Sequence, residues 1–345
     1  TYILETRTMN CLVTGGAGYI GSHVVLKLIE QGHEVNIIDN LSTGCQDALD
    51  RLRWNGWSGE FLKSDINDIH KVSPFLQDLG DIDICFHFAS HISVGESVKS
   101  PLKYFENNVG QFPMFLSAIT FLGVKNFVLS SSAAVYGDKK STESTLESSS
   151  LTPTSPYGTT KVILEQILEA YSKSNTDFKY ASLRYFNVAG CNMEGKIGDF
   201  NFEGKENLIP MCFSALAGVK DNIKIYGTDY NTKDGTCIRD YIHIDDLADA
   251  HISIMDKLDN NCYNVGNGIG YSVREIISSC LKVCGSVYNK RIKVEEADRR
   301  DGDPEYLCAD PSMFKKKTKW SAKITDVDDI TRSAWNWIKK IKHLP

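Results

Sequence analysis

Short apolar runs and longer amphipathic stretches alternate along the first half of the chain. The apolar runs are Asn10–Val13, Glu34–Ile38, Gly59–Lys63, Ile82–Phe88, Asn126–Ser130 and Tyr180–Arg184. Helical patterns fall between them at Ile20–Gln31, Ile69–Asp78, Pro101–Leu122 and Tyr157–Ser174. This rhythm predicts an α/β fold, a doubly wound parallel sheet with helices on both faces. After Arg184 the rhythm breaks. Loops rich in Gly, Asn and charge (Gly190–Asn207) precede a helix near Ile209–Ala217 and a strand near Ile223–Tyr226. That part predicts a smaller C-terminal α/β domain, placed where the strand ends of such sheets bind ligands. The expected boundaries are 9–186 and 187–345, with the segment around 236–262 returning to the first domain. The stretch Lys139–Ser155, rich in Ser, Thr, Glu and Pro, reads as a surface loop.

Composition narrows the classes. A length of 345 residues allows one large or two ordinary domains. The net charge of −6 argues against nucleic acid as a partner. No apolar run approaches the ~20 residues of a membrane span, so no membrane role is expected. Thr1 to Thr8 lacks the apolar core of a signal peptide and reads as an extension upstream of Met9. The ten cysteines contain no CxxC pair, and several fall in apolar patterns where cysteine acts as a small hydrophobe. A reduced, cytoplasmic setting fits that usage.

The first chemical signal is Thr14-Gly15-Gly16-Ala17-Gly18-Tyr19-Ile20-Gly21, between the first strand pattern and the first helix pattern. Glycines at 15, 18 and 21 allow a tight turn, and a diphosphate can then reach backbone N–H groups at the helix start. The next strand pattern ends in Asp39, 18 residues after Gly21. A carboxylate there suits the ribose 2′-hydroxyl of NAD and repels the extra phosphate of NADP. The first domain is therefore expected to be a Rossmann domain that binds NAD. GxxGxxG spacing, unlike GxGxxG, belongs to the extended short-chain dehydrogenase/reductase group.

The second signal is Ser155-Pro156-Tyr157-Gly158-Thr159-Thr160-Lys161. Tyr157 and Lys161 are four apart and share a helix face. A lysine beside a phenol is expected to lower its pKa towards neutrality and make it a general base. Ser132 closes the fifth strand pattern 25 residues earlier, where its hydroxyl can bond a reacting sugar hydroxyl together with Tyr157.

With these motifs the chain resembles the UDP-glucose 4-epimerases of the extended short-chain group. The matching segments include LVTGGAGYIGSH (12–23), HFASHISVGESVKSPLKYFENNV (87–109), FVLSSSAAVYGD (127–138), SPYGTTK (155–161), LRYFNVAG (183–190), IYGTDYNTKDGTCIRDYIHIDDLADAH (225–251) and RRDGDPE (299–305). The resemblance implies Tyr157, Lys161 and Ser132 as catalytic residues acting with tightly held NAD on a UDP-sugar. It implies that Gly15, Gly18, Tyr19, Ile20 and Gly21 hold the NAD diphosphate and that Asp39 and Asn40 meet the adenosine ribose. Asp65 and Ile66 would flank the adenine, and Phe88, Ala89, Asn107 and Phe186 would line the cleft, with Tyr157 and Lys161 also touching the cofactor. Ser132, Tyr157, Asn187, Asn207, Tyr226, Arg239, Arg300 and Asp303 would contact the UDP-sugar. From the residues alone, Arg239 reads rather as the partner of Asp240 or Asp234. A homodimer through the helices Pro101–Leu122 and Tyr157–Ser174 is implied as well.

Three positions depart from the family pattern. Ile92 replaces a lysine near the cofactor, and Ala134 replaces a threonine near the sugar. Leu307 occupies the position that governs room for an N-acetyl group. It implies UDP-glucose/UDP-galactose as the main pair with weaker conversion of UDP-N-acetylglucosamine. UDP-N-acetylglucosamine or UDP-glucuronate 4-epimerisation is the alternative activity. A 4,6-dehydratase would need an Asp-Glu pair where Ala133-Ala134 stands, and an NAD-sensing scaffold would tend to lose Tyr157 or Lys161. His243, Asp245, Asp246, Asp249 and His251 look like a metal cluster, but acids at a helix start serve capping and the helix dipole, and no metal is expected.

Overall fold

The computed structural model describes residues 7–138, 143–220, 222–289, 293–300 and 303–344. Most of the upstream extension (1–6) and positions 139–142 of the expected surface loop lie outside the described residues. Thirteen strands are described. In chain order they are β1 (Asn10–Thr14), β2 (Glu34–Asp39), β3 (Phe61–Lys63), β4 (Ile84–His87), β5 (Asn126–Ser132), β6 (Lys179–Tyr185), β7 (Asn187–Ala189), β8 (Asn222–Tyr226), β9 (Ile238–His243), β10 (Asn261–Val265), β11 (Gly270–Ser272), β12 (Lys293–Ala297) and β13 (Tyr306–Leu307).

Seven of them form a parallel sheet in the order β10-β6-β5-β4-β1-β2-β3. Both faces are covered, and β1 shows why its sequence is a continuous apolar run. Cys11 and Val13 enter one core and Leu12 the other. The strand order reverses between β1 and β4. A crevice opens there at the carboxyl ends, the place where doubly wound sheets take their ligands.

The expected helices appear at Tyr19–Glu30, Ile69–Asp78, Pro156–Ser174 and Leu208–Leu216. A further helix, Gln46–Trp54, buries Ala48, Leu49 and Leu52 on one side. The single helix expected over Pro101–Leu122 is instead three pieces. They are an α-helix at Pro101–Phe105, a π-helical turn at Glu106–Gly110 and a second α-helix at Phe112–Phe121. Pro113 lies in the first turn of that last helix, where its missing N–H costs nothing, and Gly110 ends the turn before it. The wide turn serves the crevice. It sends Asn107 to the crevice wall and Asn108 inward, where Asn108 bonds the His91 backbone and the Thr160 hydroxyl.

The later part of the chain weaves between two layers. β9 pairs with β7, β11 and β13 in a smaller sheet, and β10 then crosses back to the edge of the large one. Helix Ile244–Ile254, between β9 and β10, packs on helix Tyr19–Glu30. A third core lies among helices Leu208–Leu216, Val273–Cys284 and Val327–Lys342, the second of these started by a Ser272/Glu275 capping box. Among the described residues, no helix is long and apolar enough to cross a membrane.

Candidate active site

The crevice begins at the glycine turn. Gly15 has φ +73°, and a Cβ there would lie 2.7 Å from the Ala89 nitrogen. A Cβ on Gly21 would lie 2.2 Å from the Gly15 carbonyl oxygen, so the helix can reach the turn only with glycine in that place. Gly18 is the N-cap and puts no side chain over the helix end. The first N–H groups of the helix therefore open into the crevice, as an anionic diphosphate requires. Asp39, buried at the end of β2, accepts the Ala17 N–H at 2.9 Å and the Leu41 N–H at 2.8 Å. Burial raises its pKa, and the two backbone hydrogen bonds oppose the rise. Asn40 donates to Asp65 at 3.0 Å, which fixes the far end of the wall.

One crevice thus joins Gly15, Gly18, Tyr19, Ile20, Gly21, Asp39, Asn40, Asp65, Ile66, Phe88, Ala89 and Asn107. Phe186 stands aside from it, packed with Ala133, Val135, Tyr136, Ala309 and Leu307. Ile92 is 59% exposed at the crevice wall. Sequence reasoning passed over Ser90, Asp199, Phe200, Asn201 and Lys205, which also line it. Ser90 lies inside a matched segment. The others lie in a loop with no pattern to mark them.

The expected catalytic trio adjoins the crevice through Ser90 and Ser130, which line it and bond Lys161. Ser155 caps the helix that carries Tyr157 and Lys161, accepting the Gly158 N–H at 3.1 Å. A Cβ on Gly158 would lie 2.5 Å from the Ala134 carbonyl oxygen, so glycine lets this helix approach the end of β5. That approach sets the Tyr157 phenol beside the Ser132 hydroxyl. Lys161 is 1% exposed, and its Nζ donates to Ser90 Oγ at 3.0 Å and to the Ser130 carbonyl at 2.8 Å. Both hydrogen-bond partners line the crevice.

The electrostatics differ from the sequence expectation. Lys161 does not lower the phenol. Its Nζ lies 5.8 Å from the Tyr157 ring centre and is bound elsewhere. Burial raises the Tyr157 pKa, opposed by the neighbouring Ser132 hydroxyl. Burial also brings the Lys161 pKa down to about 7, opposed by the charge of Glu165. Both groups are taken out of water together, so each disfavours its own charged form.

On β9 of the smaller sheet, Arg239 pairs with Asp303, and its Nη1 donates to the Ile238 carbonyl at 2.7 Å. Neither Asp240 nor Asp234 is its partner. Asp240 points to the other face of β9, where it accepts N–H groups from Asn267, Gly268 and Ala309 at 2.7, 2.8 and 3.1 Å. Asp234 accepts from Thr236 and Ser272. Leu307 lies beside Arg239 in register. The Arg300 guanidinium stacks over the Tyr226 ring at 3.9 Å. Asn187 begins β7 opposite Tyr241, and Asn207 is exposed as the N-cap of helix Leu208–Leu216.

The five residues of the apparent metal cluster have separate tasks. His243, not an acid, is the N-cap, and its Nε2 meets Ser333. Asp245 holds the 192–193 loop and Asp246 the 323–324 loop, while Asp249 pairs with Lys27. The His251 ring bridges Tyr185 and the Leu247 carbonyl.

A seven-stranded sheet with a glycine cradle and a Ser-Tyr-Lys constellation defines a class, and the comparison with known families agrees. The chain belongs to the NAD dependent epimerase/dehydratase family, whose model matches residues 11–266. Within it, the chain is similar to UDP-glucose 4-epimerases over almost its whole length. It is 41% identical to the UDP-glucose 4-epimerase of Lactobacillus helveticus over 96% of this chain and 97% of that protein. The crystal structure of the Stenotrophomonas maltophila UDP-glucose 4-epimerase, with NAD and a formylated UDP-arabinopyranose bound, superposes with a TM-score of 0.91 at 37% identity. It covers 98% of this chain and all of that one. The UDP-Glc/GlcNAc 4-epimerase of Campylobacter jejuni superposes with a TM-score of 0.83 at 38% identity, covering 96% and 99% of the two chains.

Proposed function

We propose that the protein is an NAD-dependent UDP-hexose 4-epimerase that interconverts UDP-glucose and UDP-galactose. The observation that carries this reading is the Tyr157 phenol set beside the Ser132 hydroxyl, with Lys161 tied through Ser90 and Ser130 to the crevice that the glycine cradle opens. NAD, held by that cradle, supplies a hydride acceptor and donor for the sugar's carbon 4, so no net oxidation results. Tyr157 takes the proton of the 4-hydroxyl and returns it after carbon 4 has been reduced from its other face. Ser132 bonds the same hydroxyl and favours the phenolate. Lys161 anchors the cofactor side through Ser90 and the Ser130 carbonyl. On the substrate side, Arg239 and Arg300 clamp the diphosphate, because a guanidinium fork matches phosphate oxygens. Asp303, Asn187, Asn207 and Tyr226 hold the nucleotide and sugar.

Ala133 and Ala134 follow Ser132, so no acid stands there to eliminate water, and epimerisation is favoured over dehydration. Leu307 packs against the cluster that holds Ala133 and Phe186, and its aliphatic side chain is shorter than the tyrosine that would crowd carbon 2. Weaker conversion of UDP-N-acetylglucosamine follows, in line with the dual activity named for the similar Campylobacter jejuni enzyme. The protein works as a homodimer. Leu102 and Phe121, both in the stretch 101–122 expected to pair, are 80% and 87% exposed, apolar side chains that a two-fold interface covers. Ten free cysteines suit a reducing cytoplasm. The test is conversion of UDP-galactose by the NAD-loaded protein. Appearance of UDP-glucose supports the reading, and bound NAD without conversion sinks it in favour of a sensing scaffold.

A further inference from the structure

The outer wall of the NAD crevice comes from a distant part of the chain. Gly198, Asp199, Phe200, Asn201 and Lys205 face the loop that follows β2. The near end of this segment is pressed onto helix Val327–Lys342. The Trp337 Nε1 donates to the Asp199 carbonyl at 3.1 Å, and the Phe200 and Trp337 rings meet edge to face at 5.0 Å. A Cβ on Gly198 would lie 2.5 Å from the Trp337 ring, so only glycine allows this contact. The far end is held by Lys205. Its Nζ bonds Asp199 at 2.6 Å and stands 4.4 Å from the centre of the Tyr19 ring. Between these anchors, the Asn201 Nδ2 donates to the Thr43 carbonyl at 2.7 Å.

That last bond has no evident part in the fold. Both residues are exposed, and each loop is anchored elsewhere. What the bond does is span the crevice, from the second domain to the loop beside Asp39. We propose that residues 198–205 are a strap that governs release of NAD, with Asn201 as its latch and Lys205 as its charge. Lys205 is the one Lys or Arg among the described lining residues, and it stands over Tyr19 in the first turn of the helix that follows the glycine turn. A dianionic diphosphate in the cradle draws on it. The strap concerns retention of NAD, not turnover, so its fate is independent of the sugar chemistry.

The experiment follows exchange of isotopically labelled NAD out of the holoenzyme into excess unlabelled NAD. Asn201→Ala removes the donor and speeds release about five-fold, the scale of one hydrogen bond. Asn201→Asp keeps the shape but turns a carboxylate oxygen towards the Thr43 carbonyl, and speeds release further, at least about ten-fold. Melting of the NAD-free variants at the wild-type temperature shows that the fold is intact. Lys205→Met speeds release at low salt and flattens its dependence on salt. Release from Asn201→Asp within two-fold of wild type overturns the latch. Unchanged salt dependence in Lys205→Met overturns the role of the charge.

Discussion

The Asp39 carboxylate accepts the backbone N–H of Ala17 at 2.9 Å, so the end of β2 holds the glycine turn that follows β1. The side chain expected to choose between NAD and NADP is thus also a brace for the cradle. Its second oxygen holds Leu41, whose φ is +59°. Asp39→Ala should lower NAD affinity more than ~10-fold, the cost of hydrogen bonds to a charged acceptor. It should not create a good NADP site, because the turn loosens as the repulsion is removed. Calorimetric titration of the stripped protein with both nucleotides is the check. NADP bound by the variant as tightly as wild type binds NAD would show that Asp39 does nothing but repel.

Tyr157→Phe should keep NAD bound and lower turnover by at least ~100-fold, the loss expected for a general base. The Ser132 hydroxyl opposes the upward shift that burial imposes on the phenol. Ser132→Ala should therefore raise the phenol pKa further. The rising limb of the pH–rate profile should move to higher pH, because the deprotonated phenol is the active form. A limb that stays in place would disconnect Ser132 from the base.

Lys161 makes a prediction about stability without cofactor. Its folded pKa is brought down to about 7 by burial. The unfolded chain then binds more protons between about pH 7 and the ordinary lysine range, so wild-type stability rises with pH across that window. Lys161→Met should melt higher than wild type at pH 7, with the gap closing towards pH 10. A gap that does not change with pH would mean that packing, not buried charge, is responsible.

Glu165 and Arg184 form a buried two-pronged pair at 2.9 and 2.7 Å. Ser131 donates to the same carboxylate at 2.6 Å, and Arg184 also holds the Tyr136 hydroxyl at 2.9 Å. Arg184→Met strands the carboxylate and should cost roughly 3–5 kcal/mol in urea denaturation. The double change Arg184→Met with Glu165→Leu should recover most of that loss. Equal losses in the single and double variants would show that the pair is not the cause.

Leu307→Tyr should remove activity on UDP-N-acetylglucosamine and spare UDP-galactose. The added ring fills space beside Ala133 and Phe186, and a single lost fit of this kind is worth ~1–3 kcal/mol. Turnover per KM on both substrates decides it. Equal losses on the two would mean that Leu307 does not gate the pocket.

What the sequence determined by itself was local. The order of strand, glycine turn, helix, strand and acid is a run of neighbouring residues, and its meaning depends on backbone freedom and spacing. The capped helix that carries Tyr157 and Lys161 on one face is of the same kind. These features stand in the structure as read, as do six of the seven strands of the large sheet. Tertiary structure decided what depends on distant groups meeting. The single expected helix over 101–122 breaks at a π-helical turn that seats Asn108 against Thr160. Arg239 takes Asp303, 64 residues away, in preference to its neighbour Asp240, because successive strand residues point to opposite faces. Lys161 turns to Ser90 and Ser130 rather than to the phenol four residues before it. Asn201 reaches Thr43 from 158 residues away, with no pattern in either loop to announce it. Periodicity and turn chemistry record which way a residue faces within its own element. They carry no record of which other element it will meet, and the pKa of a buried group is set by that meeting.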